Sequence, residues 1–277
     1  MPLAAVGQFC ATASIAANKL ICIELIKKAA RQGASMIFLP EASDFISRNA
    51  QEAKDLTTSL GASEFLKGVQ NEAAASRIWV SVGVHETTLK DKIFNTHLVI
   101  DSSGTIKSTY RKIHLFDVDI AGGPRLMESD TTEKGDVVGV PEKTPLGKLG
   151  LQTCYDMRFP ESSITLRARG AELLAYPSAF TIRTGMAHWE VLLRSRAIET
   201  QTYVIAAAQI GQHNEKRASY GNAMIVDPWG TVLARCPDNL NKPTLAVADI
   251  DLESLYKVRT EMPVMDHRRT DLYPKIE

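Results

Sequence analysis

Short apolar runs alternate along the chain with stretches in which apolar residues recur every three or four positions. The runs are typical of buried strands, and the recurring positions are typical of helices that bury one face. In the first half this pattern predicts strands at residues 6–10, 36–39 and 78–84, helices around 20–30 and 65–73, and a hairpin with strands 95–100 and 105–110. Such an alternation favours an α/β fold.

The same order of elements returns in the second half. The pattern there predicts strands at 149–153, 173–176 and 203–208, helices at 160–169 and 189–200, and a hairpin with strands 223–227 and 231–236. Gly33-Ala34 corresponds to Gly170-Ala171, and Phe38-Leu39-Pro40 corresponds to Ala175-Tyr176-Pro177. This degenerate repeat predicts two sheets related by a pseudo-two-fold axis, packed face to face with helices outside. Chance similarity among common α/β signals is the alternative.

A repeat of this kind describes one four-layer domain, so we expect residues 1–277 to form a single unit. The last stretch, about 252–277, has the pattern of a helix followed by a polar tail that could cross an interface between subunits. The hairpin turn Asp227-Pro228-Trp229-Gly230 carries typical turn residues, and we expect its tryptophan to pack against the fold.

Composition excludes several classes of function. Apolar residues make up 44% of the 277 positions and charged residues 23%, as in ordinary globular proteins. Lys plus Arg and Asp plus Glu number 32 each, which argues against a large nucleic-acid surface. No segment has the apolar length of a membrane span, and the first residues lack a secretory-signal pattern. The four cysteines form no CxxC pair that would suggest zinc, and free thiols suit the cytoplasm, with a mitochondrial pool left open.

Three chemically useful side chains stand at or near predicted strand ends. Glu41 follows strand 36–39, Lys112 follows strand 105–110, and Cys154 follows strand 149–153. Ligands bind at strand ends in α/β folds, so facing sheets could bring the three together. A thiolate is a good nucleophile, and a nearby lysine would lower the pKa of the thiol. A carboxylate could carry protons to a leaving nitrogen and from water, so the trio could perform acyl transfer without histidine.

Each of these residues also has a plainer interpretation. Cys154 could be a small buried apolar residue, and Glu41 could be a solvated carboxylate in a loop. Lys112, next to Arg111, could belong to a solvated basic edge. Spacing alone does not decide between these interpretations.

The stretches around the three residues resemble the catalytic blocks of the nitrilase superfamily of carbon–nitrogen hydrolases. They stand in the family order of Glu, Lys and Cys: Phe38-Leu39-Pro40-Glu41, Tyr110-Arg111-Lys112-Ile113-His114-Leu115 and Leu151-Gln152-Thr153-Cys154-Tyr155-Asp156-Met157-Arg158-Phe159-Pro160-Glu161. The resemblance covers the chain from Val6 to Tyr273. It implies a four-layer α-β-β-α sandwich, a Glu-Lys-Cys triad and hydrolysis of a small amide, with no metal or organic cofactor.

The resemblance also implies supporting roles. Glu128 would be a second acidic residue that orients Lys112, against the alternative of a loop carboxylate. The backbone N–H of Tyr155 would share the oxyanion with Lys112. Several further stretches resemble the Nit branch of the superfamily, and within it enzymes that hydrolyse deaminated glutathione: Tyr176-Pro177-Ser178-Ala179-Phe180, Ala187-His188-Trp189-Glu190-Val191-Leu192-Leu193, Arg217-Ala218-Ser219-Tyr220-Gly221 and His267-Arg268-Arg269-Thr270-Asp271-Leu272-Tyr273.

A substrate of that class carries a 2-oxo acid, whose carboxylate suits the two-pronged donor of an arginine. Arg158 resembles the arginine with which the family binds carboxylate, and Phe180 and Thr184 resemble pocket residues. The alternatives are an ion pair of Arg158 with Glu161 or Asp156, and a plain core position for Phe180.

Three functions remain open at this stage. The first is an amidase that splits deaminated glutathione into 2-oxoglutarate and cysteinylglycine through a thioester on Cys154. The second is an omega-amidase acting on 2-oxoglutaramate or 2-oxosuccinamate, and the third is a non-catalytic scaffold that keeps the fold. For all three, the resemblance implies a homodimer or homotetramer, with no nucleic acid and no membrane as partner.

Overall fold

The computed structural model describes residues 1–119, 125–238 and 242–274. Its α-helices are α1 (Ile15–Arg31), α2 (Ala50–Leu56), α3 (Glu64–Ser76), α4 (Pro160–Ala168), α5 (Ile182–Thr200) and α6 (Leu252–Glu261). Its strands are β1 (Leu3–Phe9), β2 (Ala34–Phe38), β3 (Trp79–Thr87), β4 (Ile93–Ile100), β5 (Ile106–Arg111), β6 (Asp117–Asp119), β7 (Arg125–Met127), β8 (Thr132–Glu133), β9 (Glu142–Thr144), β10 (Gly147–Leu151), β11 (Leu173–Ala175), β12 (Tyr203–Ala206), β13 (Ala208–Gln212), β14 (Ala218–Tyr220), β15 (Met224–Val226), β16 (Val232–Arg235) and β17 (Thr244–Asp249).

The two main sheets are built in the same order from the two halves of the chain. In the first, β1, β2 and β3 run parallel, and β4 and β5 follow antiparallel. In the second, β10, β11 and β12 run parallel, and β15 and β16 follow antiparallel. The strand order that the sequence repeat predicts is therefore present in both halves.

The sheets pack face to face because alternate residues of a strand point to opposite sides. In β2, Ile37 packs in one cluster with residues of α1 and α3, whereas Met36 and Phe38 pack in another with residues of the second sheet. Helices α4 and α5 cover the outer side of the second sheet, with Trp189 of α5 in its core. The layers are therefore helix, sheet, sheet and helix, and the predicted α-β-β-α sandwich is confirmed.

The predicted strand 203–208 is wrong as a single element. Its first part is β12 of the second sheet, and its continuation after Ala207 is β13, which pairs with β1 of the first sheet. The chain changes partner where it lies beside Ser178. The backbone N–H of Ser178 donates to Ala207 O at 2.9 Å, and its carbonyl accepts from Gln209 N at 2.9 Å. The second half of the chain thus supplies β13, β14 and β17 to the first sheet.

Two other local expectations are wrong. Helix α5 begins at Ile182 rather than near residue 189. Its Gly185 passes against the ring of Tyr220, where an added Cβ would lie 2.2 Å from Cγ. Trp229 is 63% exposed at the tip of its hairpin, so it does not pack against the fold. The C-terminal stretch forms α6 as expected, and residues 275–277 of that prediction lie outside the described part. No helix in the described ranges combines the length and the apolar character needed to cross a membrane.

Candidate active site

The loops that follow three strands meet between the sheets and bring Glu41, Lys112 and Cys154 together. Glu41 lies beyond the end of β2, Lys112 directly after β5, and Cys154 in the loop after β10. Their side chains are buried, with 4%, 2% and 8% of the residue surface exposed, respectively. Lys112 Nζ lies 3.1 Å from Glu41 Oε1, and the charges of both side chains act on the Cys154 thiol. The plainer interpretations, a solvated carboxylate and a solvated lysine, are therefore wrong.

Lys112 is held between two carboxylates. Glu128, in the short 3₁₀ segment after β7, lies with Oε2 2.8 Å and Oε1 3.0 Å from Nζ. Glu128 is fixed in turn, because its Oε2 accepts the N–H of Phe116 at 2.7 Å. The backbone N–H of Lys112 donates to Asn95 O at 2.9 Å. Glu128 is therefore a partner of the lysine and not a free loop carboxylate.

The backbone around Glu41 is fixed by close packing. A Cβ on Gly83 of β3 would lie 2.6 Å from the Cα of Glu41, so only glycine lets these two backbone segments approach this closely. Gln209 of β13 donates its side-chain amide to Glu41 O at 2.9 Å. Ala42 has a left-handed backbone, with a φ of 54°. Contacts from both halves of the chain therefore set the position of the carboxylate.

Cys154 stands on a sharp turn. Its φ is 48°, in the left-handed region that residues with a Cβ rarely adopt, and its N–H donates to Pro177 O at 3.0 Å. Two residues on, the fully buried Asp156 accepts from Thr153 N at 2.8 Å, from the Tyr110 hydroxyl at 2.7 Å and from His114 N at 3.1 Å. These bonds hold the turn in a backbone conformation that would otherwise be unfavourable.

The charges of the cluster follow from burial and proximity. Burial lowers the pKa of Lys112, but Glu128 and Glu41 outweigh burial and hold that pKa well above its usual value. Burial raises the pKa of Glu41, but the Lys112 charge and the hydrogen bonds from Asn95 and Cys154 outweigh it, so the net pKa is lowered. At neutral pH the cluster therefore contains an ammonium and an ionised Glu41.

The thiol differs from the expectation that a nearby lysine would lower its pKa. Burial, followed by the Glu41 charge, raises the pKa of Cys154 well above its usual value, and Lys112 only partly opposes this. The Cys154 side chain at rest is thus a protonated thiol beside a carboxylate. To act as a nucleophile it would have to pass its proton to Glu41 at the moment of attack.

Arg158 lies at the end of the 3₁₀ segment Cys154–Arg158, on the same side as two aromatic rings. Its guanidinium is 5.7 Å from the ring centroids of both Tyr155 and Phe180. Its Nη2 donates to His188 Nδ1 at 3.1 Å. Among the described ion pairs none joins Arg158 to Glu161 or Asp156, so that alternative is wrong. The guanidinium keeps further donors for an anion.

Of the two other pocket candidates, only Phe180 meets Arg158 directly. Phe180 is 7% exposed and also packs edge-on against Trp189, with centroids 5.0 Å apart, so it is a core residue that also contacts Arg158. Thr184 lies in the first turn of α5, where its hydroxyl is 2.9 Å from that of Thr181.

A carbon–nitrogen hydrolase family profile matches residues 3–260 of the chain. The chain belongs to the carbon–nitrogen hydrolase family. This family is part of the nitrilase superfamily. The protein is therefore a hydrolase that acts on carbon–nitrogen bonds other than peptide bonds.

The similarity to known proteins extends over nearly the whole chain of the hydrolase. It is 52% identical to the probable hydrolase nit2 of Schizosaccharomyces pombe over 100% of both chains. It is 50% identical to the human deaminated glutathione amidase, over 99% of this chain and 84% of the human one.

Two solved structures share the fold of the hydrolase. The NitFhit protein of C. elegans superposes with a TM-score of 0.92 at 45% identity, covering 98% of this chain and 66% of that longer one. Nit3 of Saccharomyces cerevisiae, a member of branch 10 of the nitrilase superfamily, gives a TM-score of 0.85 at 27% identity, with 97% and 96% covered.

Sequence reasoning missed two polar residues of this hydrolase site. The sequence pattern predicts Asn95 only as the start of a hairpin strand, although its amide contacts both Glu41 and Glu128. It suggests Asp156 only as a partner of Arg158, although Asp156 organises the turn of the cysteine. The polar run Asn95-Thr96-His97 before the apolar Leu98-Val99-Ile100 is the available signal for Asn95.

Proposed function

We propose that this hydrolase is an amidase that splits deaminated glutathione into 2-oxoglutarate and cysteinylglycine. The observation that carries the proposal is the buried cluster in which Lys112 Nζ lies 3.1 Å from Glu41 and 2.8 Å from Glu128, beside the Cys154 thiol. The substrate assignment is supported by relatives about half identical over nearly the whole chain, which carry the name deaminated glutathione amidase.

In the first half-reaction Cys154 Sγ attacks the amide carbonyl carbon while Glu41 takes the thiol proton. The carbonyl oxygen becomes an oxyanion, which Lys112 Nζ and the N–H of Tyr155 stabilise. Glu41 then gives its proton to the amide nitrogen, the carbon–nitrogen bond breaks, and cysteinylglycine leaves. A thioester between Cys154 and the 2-oxoglutaryl group remains.

In the second half-reaction Glu41 takes a proton from water, and the hydroxide oxygen attacks the thioester carbon. The same donors hold the second oxyanion. The carbon–sulfur bond breaks, the sulfur recovers a proton from Glu41, and 2-oxoglutarate is released. Glu128 takes no proton in this scheme, and it keeps Lys112 charged and oriented.

Arg158 is proposed to bind the carboxylate of the 2-oxo acid. Its guanidinium lies next to the Phe180 ring, four residues along the chain from the nucleophile. The planar fork matches a carboxylate in a way that the point charge of lysine does not. Phe180 and Thr184 would line the wall around the 2-oxoglutaryl chain.

The test compares the rates of 2-oxoglutarate formation from deaminated glutathione and from 2-oxoglutaramate. A higher kcat/KM with deaminated glutathione supports the proposal, and a higher value with 2-oxoglutaramate replaces it with an omega-amidase that uses the same residues. A hydrolase inactive on both, with no acyl adduct on Cys154 in a mass spectrum, would favour the scaffold interpretation.

An Arg158→Lys variant tests the carboxylate site. We expect KM for 2-oxo acid amides to rise about tenfold, because a bidentate pair is replaced by a single contact. Arg31→Lys, at the exposed end of α1, is the matched control and should leave KM unchanged. An unchanged KM in Arg158→Lys would rule out this arginine as the carboxylate ligand.

We also propose that the hydrolase is a single functional domain that works as a homodimer or homotetramer in the cytoplasm. Its four cysteines are free, which suits a reducing compartment. The C-terminal part exposes large apolar side chains, including Tyr256 at 48% and Leu272 at 70%, and their burial between subunits would be favourable. Sedimentation equilibrium of the full chain and of Leu272→Asp would test this.

A further inference from the structure

A buried side-chain amide joins the two carboxylates of the catalytic cluster and has no part in the steps above. Asn95 of β4 is 6% exposed. Its Nδ2 donates to Glu41 Oε1 at 2.7 Å and to Glu128 Oε1 at 3.2 Å. Lys112 Nζ contacts the same two oxygens at 3.1 Å and 3.0 Å. Two nitrogen donors and two oxygen acceptors therefore alternate in a closed ring.

The register of β4 places the amide in this ring. Alternate residues of the strand face the second sheet, and His97, two positions on, contacts Gln152 O there at 3.0 Å. The carbonyl of Asn95 accepts the N–H of Lys112 at 2.9 Å, so backbone and side chain contact the same lysine region. Hydrogen bonds therefore hold both the backbone carbonyl and the side-chain amide of Asn95 in place.

The orientation of the amide is informative. Asn95 Oδ1 is buried and has no hydrogen-bond partner among the described residues. An unmade bond of this kind is unfavourable and calls for an explanation. Turning the amide over would place Oδ1 against two carboxylates and strip both of a donor. The observed orientation is the one that two ionised carboxylates select.

The charge balance of the ring shows why an amide is suited to this position. Two carboxylates share a single ammonium, and like charges this close favour protonation of one of them. An amide donates two N–H groups without adding a charge. An aspartate of the same shape would remove both donors and could add a third negative charge.

We propose that Asn95 is a positioning residue that keeps Glu41 ionised by donating, together with Lys112, to its Oε1. This inference rests on the proposed role of Glu41 as the base. The hydrogen bond from Asn95 acts with the Lys112 charge, against burial, to lower the pKa of Glu41. Loss of the amide should therefore raise the pH at which Glu41 becomes a base.

The test measures alkylation of Cys154 by iodoacetamide across pH, with each cysteine peptide quantified by mass spectrometry. This readout needs no amide substrate, so it does not depend on the substrate assignment. The full-length wild type is compared with Asn95→Asp and Asn95→Ala. Thr96→Val is the matched control, because Thr96 is buried on the same strand and contacts Glu86 instead of the ring.

We expect Asn95→Asp to move the acidic limb of the alkylation profile upward by about one pH unit or more, which is about a tenfold slower reaction on that limb. Asn95→Ala should move it in the same direction by less, and Thr96→Val should leave it in place. An unmoved limb, or a slowing equal at every pH, overturns the proposal. If Asn95→Asp does not fold, as judged by thermal melting, Asn95→Ala decides.

A Glu41→Gln variant separates this inference from the function on which it rests. If Glu41→Gln abolishes the acidic limb and the Asn95 variants leave it in place, only the role of Asn95 fails. If Glu41→Gln keeps the wild-type limb, Glu41 is not the base and both proposals fail.

Discussion

Asn95 and His97 stand two residues apart on β4, face the same side, and belong to buried clusters that treat charge in opposite ways. Asn95 belongs to the charged cluster of Glu41, Lys112 and Glu128. His97 belongs to a neutral cluster: because Gln152 O can only accept, His97 Nδ1–H donates to it at 3.0 Å, and Nε2 accepts from the Ser81 hydroxyl at 2.7 Å.

The two clusters show what burial between these sheets requires of an ionisable group. Burial lowers the pKa of His97 to about 4, so the ring is neutral at physiological pH. In the charged cluster, Lys112 and Glu41 stay ionised because oppositely charged groups and hydrogen bonds converge on each of them. The interior therefore keeps charge where it is paired and where the proposed chemistry uses it.

The largest effect should come from removing the proposed base. Glu41→Gln keeps the shape of the side chain and the Lys112–Glu128 pair, but it cannot take a proton. We expect kcat to fall by about 10² to 10⁴, the usual contribution of general acid–base catalysis. Steady-state amide hydrolysis measures this.

The neutral cluster supplies the control for that experiment. His97→Gln removes a residue that is equally buried but whose ring touches none of the proposed catalytic groups, and we expect kcat to change by less than about threefold. A loss in His97→Gln as large as that in Glu41→Gln would contradict the separation of the two clusters.

The next effect concerns stability at acidic pH. The folded pKa of His97, about 4, lies below its unfolded value of 6.5, so the unfolded chain binds more protons between these pH values. The contribution of the neutral His97 ring to the free energy of unfolding is fully present above pH 6.5. It declines by about 3 kcal/mol as the pH falls toward 4. Urea unfolding from pH 7 to pH 4 measures it.

Burial also lowers the pKa of His213 to about 4. His213 therefore contributes to the loss of stability over the same pH range. His97→Gln should therefore remove about half of the histidine-linked decline and leave the remainder. A wild-type free energy of unfolding that does not change between pH 6.5 and pH 4.5 would show that neither ring is held neutral by the fold.

The smallest effect should follow from Ser81→Ala. This change leaves His97 Nε2 without its donor, and we expect a loss of about 1 to 2 kcal/mol in the free energy of unfolding at pH 7. Activity should stay at the wild-type level, because the charged cluster is untouched. A drop in kcat without a loss of stability would instead link the two clusters.

Much of the fold follows from local pattern, because its strands and helices are marked by short-range signals. The apolar run ending at Pro40 and the stop at Gly33 place β2, and the second half repeats these signals around Gly170 and Pro177. The split between β12 and β13 has no such signal, because residues 203–212 include no turn residue before Gly211. Which sheet each part joins depends on partners far along the chain.

The site divides in the same way. Glu41, Lys112 and Cys154 stand at strand ends, where a sequence pattern can find them, and the structure brings them together. The roles of Asn95 and Asp156 depend on which groups face them across the sheets, and spacing along the chain does not encode this. The protonated resting thiol was also missed, because burial outweighs the nearby lysine.

The contribution of second-half strands to the first sheet has a consequence for synthesis on the ribosome. Strand β1 leaves the ribosome well before its antiparallel partner β17, with which it pairs from Leu3 opposite Asp249 to Gln8 opposite Thr244. At translation rates of about 5 to 20 residues per second this edge of β1 stays without its partner for about 10 to 50 seconds. Its residues Ala4, Ala5 and Val6, fully buried in the finished protein, are then an aggregation hazard that a chaperone or nascent-chain packing must cover.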